Sequence, residues 1–558
     1  MVRALHLRRL RAVLIWVEVV AGFGWTMAES GLARGAVWLP AILIGVAGVV
    51  VVSFGLRLAV KVGIGGRAFV RVSTFAVPAL VLGLSLLWIR VAAAVAIGHD
   101  LYLVLRWLRR ERPGRRILVD VGYRPARALL ASFATLIGVG TTLLAFPASW
   151  GSAPVGVLDA LFTATSATCV TGLTTLDTSG AWSVFGKTVI LLLVQSGGLG
   201  IMAIAAATTL FFGRAMGLDT HAAVRGAFDE ADAEELRALL RGLVISTFGI
   251  ETIGALILAS RFATEMPLDQ ALAYGFFHSI SAFCNAGFAL FSDNLTRYAA
   301  DPTVSLTVSA LVFLGGLGFG VLVGLYRLGR SAGRHRLQIH ARVVLFTSGL
   351  LIWVGALAFF YFEYDGSLAQ LPLSGKVLAS LFQAITPRTA GFNTVAMGEL
   401  RPVTVLLLIV LMFIGASPGS TGGGAKTSTV AIAYLAVRAY LGNRSDVEVY
   451  GRRLAPENVT RALAILGAYS VVYVLGVGVL LSTETAEFHA LAFEAASALG
   501  TVGLSMDLTP LLSSAGKVVV IFLMFVGRVG PLTVAAAAGA SGAATGAIRL
   551  PEGRVLVG

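Results

Sequence analysis

Thr501-Val-Gly503 is the last of four short glycine segments, and these four segments together decide the fold. The other three are Val170-Thr-Gly172, Asn285-Ala-Gly287 and Thr389-Ala-Gly391, so successive glycines are separated by 115, 104 and 112 residues. Each segment ends a short apolar stretch, and a second group of glycines lies inside the apolar run that follows it. Four copies of the same two features indicate an internal fourfold repeat.

The composition excludes a soluble protein. Of 558 residues, 57% are apolar and only 13% are charged, and the mean hydropathy is +0.86. Soluble domains are usually about 45–50% apolar and about 25% charged. We therefore predict an all-α polytopic membrane protein, which excludes a nucleic-acid partner. We also expect no enzyme, because the seven histidines form no paired catalytic motif.

Each repeat is predicted to contain an apolar span, a half-span that ends at the segment glycine, and another apolar span. The half-spans are predicted at about 156–168, 270–284, 375–387 and 488–500, and the second apolar spans at about 187–212, 303–326, 402–440 and 515–545. A half-span of about 13 residues rises only about 20 Å as a helix, too little to cross a hydrocarbon core of about 30 Å. It must enter the membrane and return as a pore loop. The predicted units are additional N-terminal membrane helices (1–120) and four repeats (121–213, 214–330, 331–445 and 446–558).

The charge distribution predicts the orientation of these loops. The four loops that join or flank the repeats contain 22 Lys or Arg residues, whereas the segments that carry the half-spans contain 3. By the positive-inside rule, the basic loops are cytoplasmic and all four half-spans enter from outside. We therefore expect four parallel membrane–pore-loop–membrane repeats around a central ion pore, in a multi-pass protein of the cell (inner) membrane.

The half-span loops have the chemistry of a cation filter. A crossing cation must exchange its hydration shell for ligands that release it again, and rings of backbone carbonyls do this in the TVGYG loops of potassium channels. Glycine tolerates the backbone angles that turn carbonyls inward, and half-helices aim their negative ends at the pore. The predicted filter residues are Val170, Thr171, Gly172, Asn285, Ala286, Gly287, Thr389, Ala390, Gly391, Thr501, Val502 and Gly503.

The four segments and their flanks resemble the Trk/Ktr/HKT superfamily of potassium transporters, and in particular its bacterial Ktr/Trk-type membrane subunits. The resemblance covers about 125–545 and is carried by Thr168-Cys-Val-Thr-Gly-Leu-Thr174, Ser281-Ala-Phe-Cys-Asn-Ala-Gly-Phe288, Arg388-Thr-Ala-Gly-Phe-Asn-Thr394 and Gly500-Thr-Val-Gly-Leu-Ser505. It implies a homodimer and a separate cytoplasmic nucleotide-binding (RCK-type) regulatory ring. In the family, serine at the first filter position is associated with sodium permeation, so four glycines favour K⁺ as the transported ion.

The second apolar span of the third repeat, 402–440, is too long for one crossing. As a helix it would measure nearly 60 Å, about twice the hydrocarbon core. Its middle, 415–428, contains five glycines and Pro418, which disfavour helix. We predict a broken loop there, and the resemblance implies an intramembrane gate. A near match to a nucleotide-binding Walker motif is rejected, because Ala425 separates the glycine from Lys426 and no strand precedes it.

Two charged residues interrupt apolar spans. Arg528 lies centrally in the last span and Glu251 lies in the first span of the second repeat. A charged side chain in the middle of the membrane costs several kcal/mol of free energy unless it faces the protein interior and has a partner. The family has an arginine at the position of Arg528, next to the gating loop, whereas Glu251 is as consistent with a purely structural pairing. The predicted gate residues are Gly415, Ser417, Gly419, Gly422, Gly423, Gly424, Lys426 and Arg528.

The sequence leaves three alternatives open. The chain could be a Na⁺-permeable or Na⁺-coupled member of the same superfamily, and its subtype, Ktr or Trk, is undecided. A secondary transporter of an organic solute would usually show inverted repeats with broken helices at a midplane site, which parallel half-spans disfavour. We expect no cofactor bound by this chain and membrane lipid as its surroundings, with Na⁺ a second ion that it could carry.

Overall fold

The computed structural model describes residues 125–213, 230–330 and 337–538. The predicted N-terminal helices (1–120) and the part of the fourth repeat after 538 lie outside the described residues. All described residues except Pro125 and Phe146–Ala148 belong to one compact unit.

Helices dominate the described residues, in which the only strands form one short antiparallel hairpin, β1 (Glu448–Val449) and β2 (Arg452–Arg453). The helices are α1 (Pro125–Leu144), α2 (Val157–Thr168), α3 (Thr178–Ala181), α4 (Val184–Gly213), α5 (Glu230–Phe262), α6 (Leu268–Phe283), α7 (Pro302–Leu317), α8 (Phe319–Arg330), α9 (Ile339–Glu363), α10 (Leu373–Ile385), α11 (Pro402–Phe413), α12 (Thr427–Leu441), α13 (Pro456–Thr483), α14 (Phe488–Gly500), α15 (Ser514–Val529) and α16 (Pro531–Ala538).

The same order of elements occurs four times. A long helix (α1, α5, α9 or α13) is followed by a short helix (α2, α6, α10 or α14) and then by the second apolar span, which is unbroken only in α4. The short helices lie where the half-spans were predicted and are largely buried; in α14 every residue from Leu491 to Gly500 is buried. The short helices therefore form the centre of the unit. The exact repeat boundaries stay predictions.

Several helices are long and apolar enough to cross a bilayer. Among the described residues these are Arg241–Phe262, Ile339–Glu363 and Pro456–Thr483, with mean hydropathies of 1.8, 2.3 and 2.2, and the bent pair α7–α8 could be a fourth span. Large apolar side chains of α9 such as Phe346 and Trp353 are each 65% exposed. A surface of this kind is stable against lipid and costly in water.

The second apolar spans are broken more often than the sequence predicted. The expected break in the third repeat is present, between Phe413 and Thr427. The apolar spans predicted at 303–326 and 515–545 are present in the described residues but are also broken, which the sequence did not indicate. The chain bends by 105° between α7 and α8, and both new breaks occur at glycines with positive φ, Gly318 (87°) and Gly530 (92°). Glycine adopts such angles without steric penalty, whereas other residues resist them.

Candidate functional site

Each short helix is connected tightly to the glycine segment that follows it. The N–H of the middle segment residue donates to a carbonyl in the last turns of the helix: Thr171 to Ser166 at 2.8 Å, and Val502 to Ser497 at 2.8 Å. The corresponding bonds in the other two repeats are Ala286 to Ser281 at 2.7 Å and Ala390 to Thr386 at 2.9 Å. Because a hydrogen bond fixes each loop to its helix, the helix ends determine where the loops lie.

The backbone of all four segments alternates in handedness. The first residue of each has a positive φ: 56° at Val170, 61° at Asn285, 76° at Thr389 and 49° at Thr501. The glycines follow two residues later with φ between 71° and 95°. Left-handed angles at residues other than glycine are strained and cluster at functional sites. In an extended strand, successive residues face opposite sides of the chain. When left-handed and right-handed residues alternate instead, neighbouring carbonyl groups can face the same side.

The four segment glycines meet in a closed ring, called here the glycine ring (Gly172, Gly287, Gly391 and Gly503). A β-carbon built on each glycine would come within 3.1 Å or less of the α-carbon of the next, from Gly172 to Gly287, Gly391, Gly503 and back to Gly172. Real β-carbons rarely approach other atoms this closely. The ring therefore has room for glycine alone, and all four predicted filter loops contribute to it.

Carbonyl oxygens lie next to the ring glycines. A β-carbon on Gly287 would be 2.8 Å from the Ala390 oxygen, and one on Gly391 would be 2.5 Å from the Val502 oxygen. β-Carbons on Gly172 and Gly503 would overlap the Ala286 and Thr171 oxygens respectively. One carbonyl oxygen from each of the four loops thus lies beside the next ring glycine, and carbonyl oxygens of this kind can replace the hydration shell of a cation.

The downstream glycines have a packing role that the sequence did not indicate. β-Carbons on Gly197, Gly315 and Gly527 would overlap the carbonyl oxygens of Thr168, Phe283 and Leu499 respectively. Each of these carbonyls lies four residues before its ring glycine. The second apolar span therefore approaches the end of its own short helix so closely that only glycine fits.

A buried carboxylate supports the fourth loop from behind. Glu494, in α14, is fully buried and accepts hydrogen bonds from the hydroxyls of Ser505 and Thr509, the latter at 2.9 Å. The sequence did not single out this residue. The available signal was one acid within the mostly apolar short helix Phe488–Gly500.

Glu494→Ala is expected to destabilise the protein markedly. It would leave the Ser505 and Thr509 hydroxyls without their buried acceptor, and each buried unsatisfied donor costs about 1–3 kcal/mol. Glu494→Gln keeps one acceptor oxygen and should lose less. Thermal unfolding in detergent, monitored by size-exclusion chromatography, measures the stability of the three proteins. The expected order is the parent first, then Glu494→Gln, then Glu494→Ala. An Ala variant as stable as the parent would contradict the supporting role.

The glycine-rich loop of the third repeat (415–428, of which the last two residues begin α12) lies against the same loops. Its two ends pair with each other through a parallel bridge between Ile414 and Ala425. β-Carbons on Gly422 and Gly423 would overlap the hydroxyls of Thr389 and Thr501, which begin the third and fourth segments. The Lys426 ammonium donates to the carbonyls of Gly422 and Gly423 at 2.6 and 3.2 Å. The loop therefore sits directly against the first residues of the glycine segments.

Arg528 joins this loop to two other repeats. Its guanidinium donates to the carbonyl of Thr421 in the loop and, at 2.8 Å, to the carbonyl of Gly197 in α4. Only 4% of Arg528 is exposed, and within the described part of the chain no carboxylate forms an ion pair with it. The structure thus brings Arg528 together with the loop, as the sequence predicted, and leaves its charge balanced by carbonyl dipoles.

The loop is also attached to the bend of the second repeat. Ser417 N–H donates to the Gly316 carbonyl at 3.0 Å, and Phe319 N–H, just after the bend, donates to the Gly419 carbonyl at 3.1 Å. A β-carbon on Gly318 would lie 2.6 Å from the Pro418 oxygen. The break at Gly318 therefore accommodates the loop of the neighbouring repeat.

Glu251 has partners of its own. Its two carboxylate oxygens accept from the Gln195 amide at 3.1 and 3.2 Å, and the Cys284 thiol lies 3.8 Å from the first. The carboxylate, which is only 2% exposed, therefore joins α5 to α4 and α6, and its described partners are neutral.

Comparison with known proteins identifies this architecture. The sequence profile of the TrkH family, described as a cation transport protein, matches residues 126–542. The chain belongs to the TrkH family. The match spans the glycine ring, the glycine-rich loop and Arg528, so it covers the whole site. The chain is accordingly a multi-pass membrane transport protein and not an enzyme, and the resemblance inferred from the glycine segments is confirmed.

Individual relatives agree with this assignment. The chain is 38% identical to Ktr system potassium uptake protein B of Bacillus subtilis (strain 168), over 79% of this chain and 99% of the relative. It is 39% identical to the protein of the same name in Vibrio alginolyticus, over 73% and 90%. The potassium/sodium uptake protein NtpJ of Enterococcus hirae is 36% identical, over 74% and 92%.

The fold is shared with a solved structure. The crystal structure of the potassium transporter TrkH from Vibrio parahaemolyticus superposes with a TM-score of 0.61 at 19% sequence identity. The similarity covers 83% of this chain and 95% of that one. The chain therefore has the helical membrane fold of that structure, which is consistent with the predicted pore-loop repeats.

Proposed function

We propose that the chain takes up K⁺ through the glycine ring, as the ion-translocating subunit of a channel-like potassium transporter. The observation that carries this proposal is the closed ring itself, in which a carbonyl oxygen from each of four loops lies beside the next ring glycine. The names of the relatives, potassium uptake proteins in two bacteria, support K⁺ as the ion.

The twelve predicted filter residues are proposed to hold K⁺ in transit. The N–H bonds from Thr171, Ala286, Ala390 and Val502 fix the loop backbones, so the carbonyls cannot close around a smaller ion without breaking bonds. A dehydrated K⁺ then exchanges water oxygens for carbonyl oxygens at little net cost. In this scheme K⁺ is cargo, and the chain needs no resident cofactor.

The glycine-rich loop (415–428) and Arg528 are proposed to form the gate. A fixed positive charge repels K⁺ by about 4 kcal/mol at about 4 Å and an effective dielectric of about 20. The loop beside it is not helical before Thr427, and its glycine backbone can move at modest cost. Lys426, within the loop itself, is a second positive charge beside Arg528. Together they would block the path on the side of the ring opposite its predicted extracellular entrance.

The proposed assembly is a homodimer embedded in lipid, with the glycine ring extracellular and the basic loops cytoplasmic. Two relatives are named as members of a Ktr system, which supports a multi-component complex. A separate cytoplasmic nucleotide-binding (RCK-type) ring would then act on the basic face. The 22 Lys and Arg residues in the predicted cytoplasmic loops support this orientation.

A second candidate function is Na⁺-dependent or Na⁺-permeable transport. One relative is named a potassium/sodium uptake protein, which favours this alternative. The glycine ring argues for K⁺, since serine is absent from all four ring positions.

Radioactive Rb⁺ uptake into proteoliposomes tests the proposal. The purified chain should mediate Rb⁺ entry down its gradient without a Na⁺ gradient, and excess K⁺ should compete with Rb⁺ far better than excess Na⁺. Uptake that requires an inward Na⁺ gradient would favour the Na⁺-coupled alternative. Failure to transport Rb⁺ under either condition would contradict K⁺ transport by this chain.

A further inference from the structure

Thr421, in the middle of the glycine-rich loop, binds three groups outside its own repeat. Its N–H donates to the Gly315 carbonyl in α7 at 3.2 Å, and its hydroxyl donates to the Phe283 carbonyl at 3.2 Å. Its carbonyl accepts from Arg528 in α15. Thr421 is 1% exposed. The residue therefore connects the third repeat to the second and the fourth.

The hydroxyl bond has an unusual acceptor. Phe283 is the last residue of α6, and the final carbonyls of a helix lack partners within the helix. They also carry the negative end of the helix dipole. Phe283 lies four residues before Gly287 of the glycine ring. The Thr421 hydroxyl thus covers a carbonyl that would otherwise offer its negative end to a cation beside the ring.

The residues around Thr421 strengthen this attachment to the second repeat. Ser417 and Gly419, on its N-terminal side, are bonded to Gly316 and Phe319 on the two sides of the bend. Because Phe319 begins α8, which runs to Arg330, a displacement of α8 would pull on the loop directly.

We propose that the Thr421 hydroxyl is the latch that holds the glycine-rich loop closed against the second repeat. The proposal rests on the gating function proposed for the loop. When the loop is released, the Phe283 carbonyl loses its hydrogen bond from Thr421 and instead contacts a passing K⁺ or water. The net strength of one hydrogen bond is modest, so the latch keeps the loop closed at rest and yields to a displacement of α8 or α12.

Thr421→Val tests the latch, since valine has nearly the same shape as threonine and lacks the hydroxyl. We expect Rb⁺ flux through the chain without any partner subunit to rise about three- to tenfold, the range expected for one lost hydrogen bond. Thr421→Ala is a second hydroxyl-free variant and should behave in the same way, while Thr421→Ser keeps the donor and should restore most of the closure.

Thr252→Val is the matched control. The Thr252 hydroxyl also donates to a backbone carbonyl, that of Phe248 at 2.7 Å, but on the exposed outer face of α5. It lies outside the glycine ring and the loop, so Rb⁺ flux should match the parent. All variants are first compared by size-exclusion chromatography and by their K⁺/Na⁺ permeability ratio, which the latch variants should leave unchanged.

Three results would overturn the latch. If Thr421→Val and Thr421→Ala conduct like the parent while Arg528→Ala conducts more, the loop is a gate but Thr421 does not hold it. If Thr421→Ser raises flux as much as Thr421→Val, the hydroxyl is not the group responsible. If neither the Thr421 variants nor Arg528→Ala raise flux, the gating function fails and the latch fails with it.

Discussion

Gly172→Ser is expected to lower the K⁺/Na⁺ permeability ratio by about tenfold or more. A β-carbon at this position would overlap the Ala286 carbonyl oxygen and lie 3.1 Å from the α-carbon of Gly287. The φ of 95° is unfavourable for serine as well. Either effect displaces carbonyls from the ring, and about 1.4 kcal/mol of lost discrimination corresponds to a factor of ten. Bi-ionic reversal potentials in planar bilayers measure the ratio.

The control for this substitution is Gly138→Ser. Gly138 lies on the exposed side of α1, and a β-carbon there would meet no atom within 4 Å. The permeability ratio should remain that of the parent. Gly503→Ser should resemble Gly172→Ser, because its β-carbon would overlap the Thr171 oxygen. Unchanged ratios in both ring variants would argue strongly against the ring as the selectivity filter.

Arg528→Ala is expected to raise partner-independent Rb⁺ flux by at least about tenfold and to leave the K⁺/Na⁺ ratio nearly unchanged. The substitution removes the charge that repels K⁺ and one of the bonds that hold Thr421 in place. A barrier lowered by about 1.4 kcal/mol is sufficient for a tenfold rise, and the proposed repulsion is about 4 kcal/mol. Selectivity should persist because the glycine ring lies elsewhere. Radioactive Rb⁺ flux in proteoliposomes of this chain alone measures the change.

Deletion of Gly419–Gly424 provides a second test of the gate. It removes the part of the loop that lies against Thr389 and Thr501 and should also raise flux. Arg297→Ala is the control for the loss of an arginine charge. Arg297 forms an exposed ion pair with Asp293, so its substitution should leave Rb⁺ flux unaltered. If both gate variants fold and conduct no more than the parent, the loop is structural and the path closes at another point.

The sequence predicted those features that depend on local rules. Short helices too brief to cross a bilayer, four glycines at regular intervals and a proline within a glycine-rich run each restrict the backbone regardless of what surrounds it. The short helix Phe488–Gly500 was predicted at 488–500, and the break before Thr427 was predicted from composition. The predicted orientation of the half-spans also rests on the sequence alone, because it follows from where the Lys and Arg residues lie along the chain.

Features that depend on contacts between repeats could not be predicted in this way. The bend at Gly318 is required because the Pro418 carbonyl of another repeat approaches it, and no local pattern distinguishes that glycine from those inside α7. Thr421 was overlooked because its role requires three partners that lie 106 or more residues away in sequence. Glu494 is similar, since its function depends on a loop that folds back over α14.

Anomalous diffraction from crystals grown in Rb⁺ tests the central claim most directly, because it locates the ion among the four loops. We expect a Rb⁺ peak within the glycine ring, coordinated by the carbonyl oxygens of Thr171, Ala286, Ala390 and Val502. The peak should weaken when K⁺ is added and persist in Na⁺. A well-diffracting crystal with no peak in the ring, or with its strongest peak at the carboxylate of Glu251, would contradict a K⁺ path through these loops.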